Sequence, residues 1–205
     1  LEVRKGSKTF RWSGQYDTPT ADAETTEVEL NVLAEAGPKI PRQFRDSRYV
    51  FLAATHPELQ QDLVRQLTDP CLVVADTRDL WIKTQHEGLI KTLGVVTGAI
   101  LNDAEARLLA GEGNLALAGR KILEYGPRFV VIKKGEYGSV MFTPTSYFAV
   151  PAFPLEEVRD PTGAGDTFAG GFIGYLAAVE DFSPDSIRQA VVHGGVVASF
   201  TVEDF

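Results

Sequence analysis

A chain of 205 residues, 44% hydrophobic and 23% charged, has the composition of an ordinary globular protein and room for one α/β domain plus a small appendage. A net charge of −8 without any basic run argues against a nucleic-acid-binding surface, and the single cysteine, Cys71, excludes a disulfide framework. No apolar run is long enough to span a membrane and no signal peptide is evident, which reads as a cytoplasmic protein.

The chain opens on Leu1 rather than Met and stops at Phe205 without a polar tail, so both ends read as cut. Residues 8–17 alternate, with Phe10, Trp12, Gly14 and Tyr16 on one face, and residues 25–33 alternate again through Val28, Leu30 and Val32. Period-two alternation predicts two half-buried antiparallel strands joined by a polar connection. Coming before any helix, they suit a small sheet over residues 1–36 that packs on something else, as a lid or as a homodimer face.

From residue 37 onward the pattern predicts one α/β domain. Strands are expected at 48–53, 71–75, 98–101 and 128–133, with helices at 57–67, 80–93, 103–110 and 114–125 between them. A hairpin follows near 138–150, then helices at 164–179 and 184–200. Alternation of this kind implies a mainly parallel sheet covered by helices on both faces, with ligands at the carboxyl ends of the strands.

Several of those ends carry chemistry. Strand 98–101 runs into Asn102 and Glu105, three apart where a helix begins, so both side chains face one point. An amide and a carboxylate there can hold a hydrated Mg²⁺ and touch phosphate oxygens; the same pair equally spells a helix N-cap with its capping-box acid. Strand 128–133 runs into Lys133-Lys134-Gly135-Glu136-Tyr137-Gly138. Lys133 can meet a phosphate and the glycines can let backbone approach a ligand, or the segment is a plain turn. His193, followed by Gly194 and Gly195, either lines a slot for a flat ring or simply packs on its helix. No partner set at metal-ligand spacing surrounds His56 or His86, and no Walker-type loop is present.

The most informative stretch is Asp160-Pro-Thr-Gly-Ala-Gly-Asp166, which leads directly into an apolar helix. A glycine-rich turn at a helix N-terminus aims backbone N–H groups at one spot and makes an anion site. Asp166 beside it supplies a proton acceptor, and phosphoryl transfer to a hydroxyl needs those two things together. On a simpler account Gly163 and Gly165 only permit a tight turn with Asp160 or Thr162 as N-cap. That simpler account leaves Gly170, Gly171 and Gly174 unexplained, since interior helix glycines cost ~1 kcal/mol each relative to Ala; close packing is expected there.

Asn102-x-x-Glu105, Lys133-x-Gly135-x-x-Gly138, Asp160-Pro-Thr-Gly-Ala-Gly-Asp166 and the His193 helix, in that order, resemble the ribokinase-like (PfkB) carbohydrate and nucleoside kinase family from about residue 48 onward. The resemblance implies a three-layer α/β/α domain with a β lid, ATP and Mg²⁺ as cofactors, and a sugar or nucleoside as acceptor. It implies Asp166 as base and the amides of Gly163, Ala164 and Gly165 as the anion hole. Asn102 and Glu105 would organise Mg²⁺ and phosphates. Lys133 (where many members carry Thr), Gly135 and Gly138 would border the nucleotide, and His193 the adenine. Asp160 and Thr162 match residues that often hold a monovalent cation such as K⁺. The family's N-terminal portion, with a Gly-Gly-x-x-x-Asn sugar signature, is absent from this chain. Weak or no turnover is therefore expected of it alone, the alternative being a nucleotide-binding module whose lid strands serve association.

Overall fold

The computed structural model describes residues 3–15, 24–35 and 37–203. Tyr16, expected on the lid surface, lies outside them. The lid is a two-stranded antiparallel sheet of β1 (Arg11–Gln15) and β2 (Glu24–Glu29), with Trp12 opposite Val28 and a register shift at Ser13/Gly14. The second strand ends sooner than its alternation predicts. Asn31 takes a positive φ of 48° and opens a short 3-10 turn, Asn31–Ala34, whose Val32 amide donates back to the Lys8 carbonyl.

The main domain carries β3 (Tyr49–Leu52), β4 (Leu72–Asp76), β5 (Gly98–Asn102), β6 (Phe129–Lys133), β7 (Ser139–Phe142) and β8 (Tyr147–Val150), hydrogen-bonded in that order. The first four strands are parallel and the last two antiparallel. Crossovers between parallel strands are right-handed, so a sheet that grows steadily in one direction puts all its crossover helices on one face. Those helices are α1 (Pro57–Gln66), α2 (Asp79–Thr84), α3 (His86–Leu93), α4 (Asp103–Ala110) and α5 (Leu115–Glu124). The opposite face is covered by α6 (Ala164–Val179) and α7 (Pro184–Glu203).

Strand parity divides the core accordingly. Val73, Ala75, Val130 and Ile132 point to the crossover helices, while Leu72, Val74, Phe129 and Val131 point to α6 and α7, where Phe129 meets Phe172. Because both faces are buried, β4 reads as a continuous apolar run with no polar side to mark it. The single helix expected at 80–93 is two, broken at Gln85 (φ −135°, ψ 34°). The break lets Trp81 and Ile82 bury on one axis and Leu89, Thr92 and Leu93 on another. Among the described residues, no helix is long and apolar enough to cross a membrane.

Candidate active site

The expected turn is present and sits where the carboxyl ends of β4, β5 and β6 meet the start of α6. Gly163 is the helix N-cap at φ +82°, a conformation that any residue with a Cβ adopts at a cost. Asp166 follows in the first turn, exposed to solvent. Not every amide of the expected cradle faces outward: the Ala164 N–H donates to the Pro161 carbonyl at 3.2 Å, because the chain folds back on itself before the helix begins. Gly165 and Asp166 then supply the first-turn amides that have no acceptor within the helix. Upstream, the Asp160 carboxylate accepts from the Thr162 amide at 2.8 Å, and that bond, with one to the Thr162 side chain, holds its carboxyl below the usual range.

Lys133 comes much closer to this turn than a nucleotide-bordering role requires. Its ammonium lies 2.8 Å from where a Cβ on Gly165 would be, a contact that the flexible end of the lysine could relieve by shifting. The same ammonium stands 3.8 Å from the Asp76 carboxylate at the end of β4. Asp76 is buried, and its Oδ1 accepts from the Thr77 amide at 2.7 Å. Burial pushes the Asp76 carboxyl up, Lys133 and the Thr77 amide pull it down, and nearby Asp166 pushes it up again. Sequence reading passed over Asp76. Its one signal was a carboxylate closing a fully apolar strand, at the sheet edge where α/β ligands collect.

Asn102 and Glu105 form a complete capping box: the Asn102 side chain accepts from the Glu105 amide at 2.7 Å and Glu105 accepts from the Asn102 amide at 2.9 Å. The pair is thus fixed at the end of β5, with Asn102 in register with Lys133. The two turn glycines differ from each other. Gly135 (φ +54°) has open space at its Cβ position, whereas a Cβ on Gly138 would lie 2.1 Å from the Val150 carbonyl oxygen. The β8 backbone by itself therefore requires glycine at 138. His193 is exposed on α7 and stacks on Tyr175 at 4.3 Å, so one ring face is already covered. Gly194 packs against the Phe168 carbonyl, and Gly195 has nothing within 4 Å of its Cβ position.

A cavity of ≈ 290 Å³ opens between the lid and the segments that follow β3 and β4. Phe10 and Trp12 from the lid face Trp81, Thr55 and Arg78 from the domain across it. The Arg78 guanidinium lies 5.0 Å from the centre of the Trp12 ring, and the Trp12 indole donates to Thr25 at 3.1 Å. Trp12 thus forms part of the wall between the lid and the domain. Beneath, fully buried Gln60 donates to the carbonyls of Leu52, Ala53 and Asp76 and ties the ends of β3 and β4 together.

These features define a ribokinase-like α/β fold with a glycine turn and a carboxylate at its sheet edge. The nucleoside kinase of Methanocaldococcus jannaschii has the same fold: TM-score 0.74 at 21% identity, covering 98% of this chain and 63% of that one. So does a fructokinase from Vibrio cholerae solved with fructose, ADP and calcium: TM-score 0.70 at 20% identity, covering 80% of this chain and 56% of that one. In sequence, residues 51–205 match the pfkB family carbohydrate kinase model, and the chain belongs to that family. It is 32% identical over 170 residues to a cytidine kinase of Thermococcus kodakarensis, a match covering 80% of this chain and 58% of that enzyme. The chain thus spans less than two thirds of the length of each of these relatives.

Proposed function

We propose that this chain carries the nucleotide-binding and catalytic part of an ATP-dependent kinase that phosphorylates a hydroxyl of a sugar or nucleoside. The observation that carries the reading is Asp166, an exposed carboxylate in the first turn of a helix whose Gly165 lies against the Lys133 ammonium. A base and a concentration of positive potential are adjacent, as in-line phosphoryl transfer demands.

In this reading residues 37–205 bind ATP and residues 1–36 are the lid. The phosphates lie over the α6 turn, with the Gly135 loop and His193 on the nucleotide side. The acceptor enters the lid cavity, with Trp12 and Arg78 excluding water as it closes. Asp166 takes the proton from the acceptor hydroxyl as its oxygen bonds to the γ-phosphorus, and the bond from that phosphorus to ADP breaks. The Gly165 and Asp166 amides stabilise charge on the phosphoryl oxygens during transfer.

The donor set at Asn102 and Glu105, an amide and a carboxylate fixed by their capping box, suits an ion that keeps its waters and takes phosphate oxygens, as Mg²⁺ does. Among the described residues no three His, Cys, Asp or Glu gather into a metal cage. When bound, Mg²⁺ draws charge from the phosphate oxygens. A monovalent cation such as K⁺ beside Asp160 and Thr162 completes the reading, and replacing K⁺ by Na⁺ in the assay tests it.

The deciding experiment measures ADP release against a panel of sugars and nucleosides. In the protein extended to the full length of its relatives, turnover with at least one acceptor is expected, and Asp166→Asn should abolish it while leaving ATP binding by calorimetry unchanged. ATP binding without acceptor-dependent ADP release from any panel member would favour a nucleotide-binding module instead. Full turnover by Asp166→Asn would overturn the mechanism.

A further inference from the structure

The geometry points to Lys133 as a catalytic residue whose ammonium stabilises the transferring phosphoryl group, and to Asp76 as the positioning residue that holds it against Gly165. This inference rests on the kinase reading above and adds to it a charged side chain with a buried anchor.

Strand parity brings the two residues together. Asp76 shares the face of Leu72 and Val74, and Lys133 shares the face of Phe129 and Val131, so both side chains leave the sheet toward α6. Their strands are separated by β5, about 10 Å at ordinary strand spacing. The long lysine closes that gap over the end of β5, and its ammonium comes to rest between the Asp76 carboxylate and the α6 turn. Its side chain is 18% exposed and that of Asp76 is 9% exposed. A charge withdrawn so far from water needs a counter-charge, and each residue supplies the other's.

The separation between them matters. At 3.8 Å the ammonium is attracted to the carboxylate but lies beyond direct hydrogen-bond length, so its N–H groups remain available to another acceptor. An anion bound by the Gly165 and Asp166 amides arrives next to them, because no side chain stands between Gly165 and the lysine. Lys133 also limits the cost of burying Asp76, whose carboxylate is opposed by its burial and by the nearby Asp166. During transfer the lysine exchanges no proton. The acceptor proton goes to Asp166, and Lys133 stabilises the charge spread over the phosphoryl oxygens.

Two measurements test this. In steady-state assays with an accepted substrate, Lys133→Met should lower kcat by about 10²- to 10³-fold, the usual effect of losing one transition-state donor, with the KM for ATP changed less than about threefold. Lys133→Arg should recover part of the loss. Asp76→Asn should lower kcat about tenfold, and the double variant should be no slower than Lys133→Met alone, since an anchor has nothing to position once the ammonium is gone. A purely structural Asp76 would instead add its defect to that of Lys133→Met. If Asp76→Asn does not fold, Asp76→Glu reads the same coupling.

The second measurement needs no acceptor. ADP with aluminium fluoride should bind Lys133→Met at least about tenfold more weakly than the native protein, with ADP alone unaffected. Native protein that binds ADP–aluminium fluoride tightly but turns over no acceptor would defeat the kinase reading while leaving this inference to the Lys133→Met comparison. Undiminished kcat or undiminished aluminium fluoride binding in Lys133→Met would overturn the inference itself.

Discussion

The Thr201 hydroxyl donates to the Thr167 hydroxyl at 2.9 Å, joining the last turn of α7 to the first turn of α6. The Arg159 amide donates to the Val202 carbonyl at 2.8 Å just below, so the segment leading into the glycine turn is also tied to the end of α7. Thr201→Val removes one such tie. It should lower stability by ~1 kcal/mol in urea denaturation and, with the γ-phosphate nearest the turn as proposed, weaken ATP binding more than ADP binding.

The glycines of the helical layer separate into two kinds. A Cβ on Gly194 would lie 2.7 Å from the Phe168 carbonyl oxygen, and one on Gly171 would lie 3.2 Å from the Gly194 Cα, whereas Gly170 and Gly174 have nothing within 4 Å. Gly194→Ala should cost roughly 1–3 kcal/mol by forcing the helices apart. Gly170→Ala and Gly174→Ala should each stabilise by ~0.5–1 kcal/mol through helix propensity alone. Thermal melts of the three variants check the contrast. Equal destabilisation by all three would mean that a single close-packed seam runs along the helix.

Gln60 offers a test of the sheet edge. Replacing it with Leu leaves the carbonyls of Leu52, Ala53 and Asp76 without the amide that now serves them. A loss of about 1–3 kcal/mol is expected, with activity falling further than stability because Asp76 moves.

Asp76 and Asp181 should respond to pH in opposite senses. Burial raises the Asp76 carboxyl, so its contribution to stability is complete below the usual carboxylate value of 3.8 and is lost as pH rises through the raised value. Asp181 is lowered by its bonds to Ser183 and Ser186, so its contribution is present above 3.8 and is lost as pH falls. The stability of Asp76→Asn relative to the native protein should therefore improve as pH rises from 4 toward neutrality, while the deficit of Asp181→Asn should stay nearly constant over that range and shrink as pH falls below 3.8. Urea midpoints at several pH values decide both.

What the sequence made legible follows from physics that acts locally. The two-faced burial of strand 72–76 appears as an unbroken apolar run, and the helix at 57–66 announces itself by Pro57 and its spaced leucines. The glycine turn before Asp166 could be placed because its chemistry is confined to a few consecutive residues. Pairings between distant segments left no such trace. Asp76 meets its counter-charge only when β6 lies two strands away and delivers Lys133, and the steric need for glycine at 138 comes from β8. The break at Gln85 follows from two sets of buried side chains that one straight axis cannot satisfy. The 3-10 turn after β2 likewise reflects a contact with Lys8 that alternation cannot encode.

The lid cavity has a practical consequence. Trp12 and Trp81, both of which line it, are the only two tryptophans of the chain. Nearly all of the protein's long-wavelength emission therefore originates from the walls of one chamber, and a guanidinium rests against one of the two emitters. The molecule carries a built-in optical gauge: whatever enters that chamber changes its glow directly, without any label.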